Sequence, residues 1–285
     1  KLADRLGFEG ITCGDHLVKP ADYGKSYLYS EDGRPPWDPG PDWTPPYADP
    51  WILGAVLSQA TTRLRFMPYV YVLPMRDPVM VAKQTATAAF FSNDRIVMGV
   101  GSGWLEEEFR LVGADWKTRG ARMDEMLEVI ALLHGGRDVE FRGRHYTLPA
   151  CRMRPVPRRR VPVMIGGHSD AALRRAARHD GWLGVDYAFD DLVPIVKKLL
   201  ALRCEAVDAG RCAAGAETGP FEVFAVLKRF PDLDGLRRMA DLGVTMTQDY
   251  AWFYKGEHTS TLERKRETME RFAEETIEAF ARARG

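Results

Sequence analysis

Apolar and polar positions alternate between two periods along this chain. Short apolar runs near residues 11, 68, 98, 163, 184, 224 and 246 read as strands. Between them, apolar residues recur at helical spacing. The clearest helix is Arg119–Leu133, with Met123, Met126, Leu127, Ile130 and Leu133 on one stripe. Pro78–Phe90 is a helix with proline in its first turn, where a missing N–H costs nothing. Helices are also predicted over Trp51–Thr61, Trp104–Val112, Asp170–Arg178, Asp191–Ala209, Asp232–Leu242 and Leu262–Ala283. Leu64–Val72 is a strand of β-branched and aromatic residues, and Val139–Leu148 a small hairpin. Val161–Ile165 is apolar throughout, as a strand buried on both faces should be. A final strand is expected over Val244–Gln248.

Strand–helix alternation favours a parallel sheet. The fold class expected is α/β, a (β/α)₈ TIM barrel, as a single domain over residues 1–285. Such a barrel has eight strands, and seven are counted here. The chain opens at Lys1 without a methionine and directly into a helical pattern, so the first strand is expected to be missing there. An open doubly wound sheet is the rival architecture. Residues 19–50 form a long loop rich in Pro, Gly, Asp, Tyr and Trp. Its aromatics, Tyr23, Tyr27, Tyr29, Trp37, Trp43 and Tyr47, oppose disorder and suggest an ordered cover.

Composition narrows the function. The chain has 285 residues, 45% of them hydrophobic, enough for a sizeable core. Its 40 basic and 40 acidic side chains cancel, so no global field gathers nucleic acid or an anionic membrane. No apolar run has the length of a membrane span. Cys13, Cys151, Cys204 and Cys212 fit neither a CxxC metal pattern nor a disulfide scaffold. The expectation is a cytoplasmic protein without metal, acting on a small-molecule substrate, with Cys13 as a buried structural thiol.

In a barrel the chemistry sits after the C-terminal ends of the strands. After the first visible strand come Asp15 and His16. They read either as an acid/base or orienting pair, or as a turn cap beside a satisfied imidazole. Tyr69, Val70 and Leu73 close the long strand, and by pattern alone they are buried strand and exit turn. Gly101, Ser102 and Gly103 precede Trp104, Glu106, Glu107 and Glu108, and glycine lets backbone approach a flat ligand closely. The run Gly99–Trp104 lacks the last glycine of a dinucleotide fingerprint. It also suits a tight turn into a helix with acidic residues at its positive end. Gly166, Gly167 and His168 precede Ser169 and a helix start, an arrangement that offers several N–H groups to a phosphate. Ser169 or Asp170 can cap the same helix. Arg152, Arg154, Arg158, Arg159 and Arg160 read as a solvated charged loop, with an anionic tail as the other possibility.

These pieces together resemble the luciferase-like monooxygenase superfamily. The carriers are Val72-Leu73-Pro74-Met75-Arg76-Asp77-Pro78 with Ala82-Lys83-Gln84; Gly99–Trp104 with Glu107, Glu108 and Phe109; Arg119-Gly120-Ala121-Arg122 with Asp124-Glu125; Gly166-Gly167-His168-Ser169 with Ala172–Ala177; and Asp180-Gly181-Trp182. A weaker likeness upstream, through Leu6-Gly7-Phe8, Asp15-His16-Leu17 and the aromatic loop, points to the branch that uses coenzyme F-420. The resemblance implies a planar flavin or deazaflavin ring in the barrel mouth. It places Asp15 and His16 beside that ring, with His16 the leading acid/base candidate. It implies cofactor contacts from Asp15, Tyr69, Val70, Leu73, Gly101, Ser102 and Glu107, and phosphate binding at Gly166, Gly167 and His168. A non-prolyl cis peptide would fall within Tyr69–Tyr71. Relatives that oxidise a sugar phosphate carry a glutamate where this chain has Trp104, so that reaction is not expected. Trp104 and Trp37 are assigned instead to the substrate pocket. The function implied is hydride transfer between coenzyme F-420 and a small organic substrate. The alternative is an FMN-dependent, reduced-flavin monooxygenase. A homodimer is implied in either case.

Overall fold

A computed structural model of the chain describes residues 1–20, 27, 47–251 and 261–284. Contacts divide it into two compact units. One comprises Lys1–Ile11, Ala60–Phe66 and Pro162–Gly285, the other Thr12–Gln59 and Met67–Val161. Strand β1 (Gly10–Cys13) pairs with β2 (Arg65–Pro68).

In the second unit, β3 (Tyr71–Val72) runs parallel to β4 (Met98–Gly101), with Tyr71 opposite Val100 and Val72 opposite Gly101. Helices α2 (Pro50–Ser58) and α3 (Pro78–Ser92) start alike. Asp49 accepts from the Trp51 and Ile52 amides, and Asp77 from those of Val79 and Met80. Each aspartate satisfies N–H groups that the first turn cannot. Proline follows both caps. Asn93, in the left-handed region at φ 56°, ends α3. The short α4 (Glu106–Leu111) and the long α5 (Arg119–His134) follow β4. The five-residue stripe read on α5 is buried throughout, and α3 meets α5 with Val81, Ala82, Ala86 and Ala89 enclosed. The hairpin forms from β5 (Val139–Arg142) and β6 (Thr147–Cys151), which are antiparallel.

In the first unit, α1 (Leu2–Arg5) is a single turn whose Asp4 accepts from the Thr62, Arg63 and Leu64 amides. Strands β7 (Val163–Gly166), β8 (Gly181–Tyr187) and β9 (Glu222–Leu227) form a parallel ladder. Helices α6 (Asp170–Ala176), α7 (Phe189–Asp208) and α8 (Leu233–Leu242) alternate with them. Met164, Ile165, Leu192, Val196 and Leu199 fill this core with fully buried side chains.

Three predicted elements differ. The strand over Leu64–Val72 is broken into β2 and β3. The Tyr69 amide still donates to the Cys13 carbonyl at 2.7 Å beyond Pro68, and the Tyr69–Val70 peptide between the two strands is cis. The strand over Val244–Gln248 is reduced to one parallel bridge, Met246 to Phe224. There the Thr245 hydroxyl, at 2.9 Å, takes the Val223 amide that a ladder carbonyl would accept. The terminal helix is divided into α9 (Leu262–Phe272), a π-helical turn over Ala273–Glu278 and α10 (Ala279–Arg284). Among the described residues no helix is long and apolar enough to cross a membrane.

Candidate active site

The turn after β1 delivers Asp15 and His16 into the second unit, but they do not pair with each other. Asp15 is tied to Arg76 by two 2.7 Å contacts, one to each carboxylate oxygen, and it also accepts the Val72 amide at 2.8 Å. The Arg76 guanidinium in turn donates to the Val72 carbonyl at 3.0 Å and lies 4.2 Å from the Tyr71 ring centroid. Burial raises the Asp15 carboxyl above the ordinary carboxylate range, opposed by the Arg76 charge and hydrogen bonds. Burial also pushes the Tyr71 hydroxyl up to about 12. Asp15 is therefore a clamp between the β1 turn and the end of β3. The sequence expectation of an Asp15–His16 pair is corrected accordingly.

His16 has a different carboxylate. Its Nδ1 lies 2.8 Å from Oε2 of Glu108, on α4. The other oxygen of Glu108 accepts the Leu17 amide at 2.7 Å and that of Val18 at 3.3 Å. Exposure divides the two roles. The Glu108 side chain is 1% exposed and closed to any ligand, whereas that of His16 is 17% exposed and can meet one. Sequence reasoning placed Glu108 in the acidic first turn of a helix and gave it no role here. The signal available was its position directly before Phe109, a fully buried neighbour.

Aromatic rings complete the surroundings of His16. Tyr47 is 5.1 Å from it and Trp104 5.9 Å, the latter edge-on at 81°. Tyr27 meets Trp104 edge-on at 5.2 Å and is itself buried. These are favourable aromatic geometries. Tyr47 and Tyr27 of the aromatic segment thus pack at His16 and Trp104, whereas residues 21–26 and 28–46 lie outside the described residues, and the expected cover with them. Trp37 lies outside the described residues. Gly103 fixes how Trp104 is presented. At φ +84° it adopts a conformation that side chains resist, and a Cβ there would sit 2.6 Å from Val72 and 2.8 Å from Phe109.

The other predicted cofactor contacts are spread unevenly. Tyr69, Val70, Ser102 and Glu107 are half-buried, and Gly101 is a buried residue of β4. Oε2 of Glu107 is enclosed and has no hydrogen-bond partner among the described residues. Leu73 is fully buried and Gly101 is buried in β4, so neither presents a surface to a ligand, and both are corrected to core residues.

In the first unit, Gly166, Gly167 and His168 link β7 to α6, and all three are half-buried. Gly167 adopts φ +129°, and a Cβ on it would meet that of Ala172 at 2.8 Å, so only glycine fits. Ser169 caps α6 through the Ala172 amide at 3.3 Å. The Gly167 carbonyl accepts the Trp182 indole N–H at 2.8 Å, and His168 Nδ1 is hydrogen-bonded to the Tyr187 hydroxyl.

The luciferase-like monooxygenase family model matches residues 1–229. An uncharacterized protein of Mycobacterium tuberculosis is 34% identical over 279 residues, 97% of this chain and 92% of that one. The F420-dependent glucose-6-phosphate dehydrogenase of Amycolatopsis mediterranei is 28% identical over 206 residues, 69% of this chain and 56% of that one. Among solved structures, the coenzyme F420-dependent tetrahydromethanopterin reductase of Methanopyrus kandleri superposes with a TM-score of 0.68 at 15% identity, covering 98% of this chain and 93% of that one. The monooxygenase RslO1 of Streptomyces bottropensis gives 0.66 at 20% identity, covering 98% and 91%. At such identities these likenesses show the fold alone, the (β/α)₈ TIM barrel of luciferase-like enzymes. With four-fifths of its length matched by the family model, the chain belongs to the luciferase-like monooxygenase family.

Proposed function

We propose that the chain is an oxidoreductase that transfers hydride between coenzyme F-420 and a small organic substrate, with His16 handling the accompanying proton. The observation that carries this reading is the partly open imidazole of His16. It is anchored by a buried carboxylate and set among Tyr47 and Trp104. The likeness to an F420-dependent dehydrogenase over 206 residues supports the deazaflavin over FMN.

The residues present fit a flavin-type ring. An enclosed carboxylate oxygen without a donor, as on Glu107, is costly unless a ligand supplies one. The imide N–H of a flavin or deazaflavin ring is such a donor. In the second unit the half-buried Tyr69, Val70, Ser102 and Glu107 would contact the ring. In the first unit, taken by itself, the turn Gly166-Gly167-His168 suits a phosphate group. When bound, the deazaflavin supplies hydride chemistry at its C5 carbon. The protein's part is to orient, to exclude water and to move a proton. Trp104, backed by Tyr27, shapes the apolar wall for the substrate. Asp15 and Arg76 keep the β1 turn and the end of β3 at a fixed separation, so that His16 does not drift.

Titration of the protein with F-420 and with FMN, followed by fluorescence, tests this reading. F-420 is expected to bind at least about tenfold tighter, a difference of about 1.4 kcal/mol. Much tighter FMN binding, together with oxygen uptake on adding reduced FMN, would establish the monooxygenase instead.

A homodimer is part of the same proposal. Ile52 and Val56 on α2, with Met80, Phe90 and Phe91 on α3, are large apolar side chains more than half exposed on two packed helices. Sedimentation should give twice the 32.1 kDa chain mass. Phe90→Lys with Ile52→Lys should shift it toward the monomer.

A further inference from the structure

We infer that Glu108 is a positioning residue that fixes the tautomer of His16, holding the neutral ring as Nδ1–H so that Nε2 is a proton acceptor. The inference rests on the proposed role of His16 and adds the sense in which that residue works. Glu108 lies 92 residues from His16 in sequence, and its Oε2 is 2.8 Å from Nδ1. A carboxylate offers only acceptor lone pairs, so the hydrogen between the two atoms belongs to the imidazole nitrogen. In the neutral ring the second nitrogen is then bare and accepts. Protonation at Nε2 makes an imidazolium beside a buried carboxylate, a charge-assisted pair. The arrangement suits removal of a proton from a substrate hydroxyl as hydride leaves the adjoining carbon. With an oxidised deazaflavin bound, both electrons of the C–H bond would leave with the hydride, the O–H proton would go to Nε2, and a carbonyl product would remain. In the reverse direction the imidazolium returns that proton.

The second oxygen of Glu108 makes this assignment testable. Oε1 accepts two backbone amides, from Leu17 at 2.7 Å and Val18 at 3.3 Å. A glutamine of the same shape must keep its carbonyl oxygen on those amides. Its NH₂ group then faces Nδ1 of His16. Two donors cannot share one bond, so Glu108→Gln should move the ring proton to Nε2 and turn the acceptor into a donor. Glu108→Ala would remove the anchor altogether and also leave two backbone amides without their acceptor. The glutamine variant is therefore the cleaner probe.

Nitrogen-15 NMR on histidine-labelled protein reads the tautomer without any cofactor or substrate, so its result is independent of the proposed activity. His16 is assigned by the signal lost in His16→Gln, and spectra are followed upward in pH until the ring is neutral. Wild type should then show a pyrrole-type Nδ1 and a pyridine-type Nε2, and Glu108→Gln the reverse. If turnover with F-420 is also measured, the variant should lose up to the roughly 10²- to 10⁴-fold that a positioned acid/base contributes. An Nε2–H ring in wild type would overturn the inference, as would a ring doubly protonated throughout the folded range. So would a tautomer unchanged by Glu108→Gln. A correct tautomer in a protein that fails to bind F-420 would leave the positioning role intact and remove the proposed reaction.

Discussion

Replacing Asp15 with alanine should destabilise the protein severely, and the reason lies in what it leaves behind. The Asp15 side chain is 3% exposed and that of Arg76 13%, so solvent screening does little for either. Burial raises the Asp15 carboxyl, which means that enclosing its charge is unfavourable and the pair is not a large net gain. Truncation, however, strands the Arg76 guanidinium without its carboxylate and the Val72 amide without its acceptor. Removing one partner of a buried pair costs about 3–5 kcal/mol, a large part of the roughly 5–15 kcal/mol that holds a typical domain together. At about 2–4 °C per kcal/mol for a domain of this order, the melting temperature should fall by roughly 6–20 °C. Calorimetry with chemical denaturation measures it. The double variant Asp15→Leu/Arg76→Met removes both charges, and most of the loss should return, because hydrophobic replacement of a buried pair is often close to neutral. A single variant within about 0.5 kcal/mol of wild type, the range of an ordinary surface change, would refute the clamp. A double variant no better than the single one would refute the explanation in terms of a stranded charge.

Other expectations follow from the same structure. Burial first, then the charges of Asp15 and Asp49, pushes the Cys13 thiol up to about 11. Cys13 is half-buried, not the buried thiol expected, so alkylation at pH 8 should label the exposed Cys204 well before it. Mass mapping of the labelled thiols reads this, and early labelling of Cys13 would contradict it. Burial holds the His134 pKa below its ordinary value of 6.5, beside the Thr85 hydroxyl and the Ala82 carbonyl. The unfolded chain then binds the proton more readily, so stability is full above pH 6.5 and declines as the pH falls through the lowered native value. Denaturation midpoints of His134→Gln should decline less over that window than those of wild type. Gly167→Ala, at φ +129° with a Cβ 2.8 Å from Ala172, should cost about 1–3 kcal/mol. Gly113→Ala, at φ +67° with open space around it, should cost less, and paired thermal melts compare the two.

Periodic features were the legible ones. The α5 stripe, the caps at Asp77 and Ser169 and the parallel run of strands follow from local pattern, because each is decided within a few residues of chain. The place of His16 in a turn just after a strand was also legible. The partner of His16 was not. Asp15 adjoins His16 in sequence, yet its carboxylate meets Arg76, 61 residues away, while Glu108 reaches His16 across 92. Neighbouring residues at a turn direct their side chains apart, and nothing local records which distant group each will find. Leu73 shows the converse failure. A motif position was read as a contact, and burial makes it core, as it does Gly101. The bridge at Met246 marks a third limit, since a threonine hydroxyl can take a ladder bond that β-propensity assigns to backbone.

A crystal structure of the protein grown with coenzyme F-420 tests the central proposal most directly. The tricyclic ring should lie against His16 and Trp104, with an N–H of its edge donated to Oε2 of Glu107. A ring bound away from these three residues would contradict it, and so would a crystal that takes up FMN in preference when both are supplied.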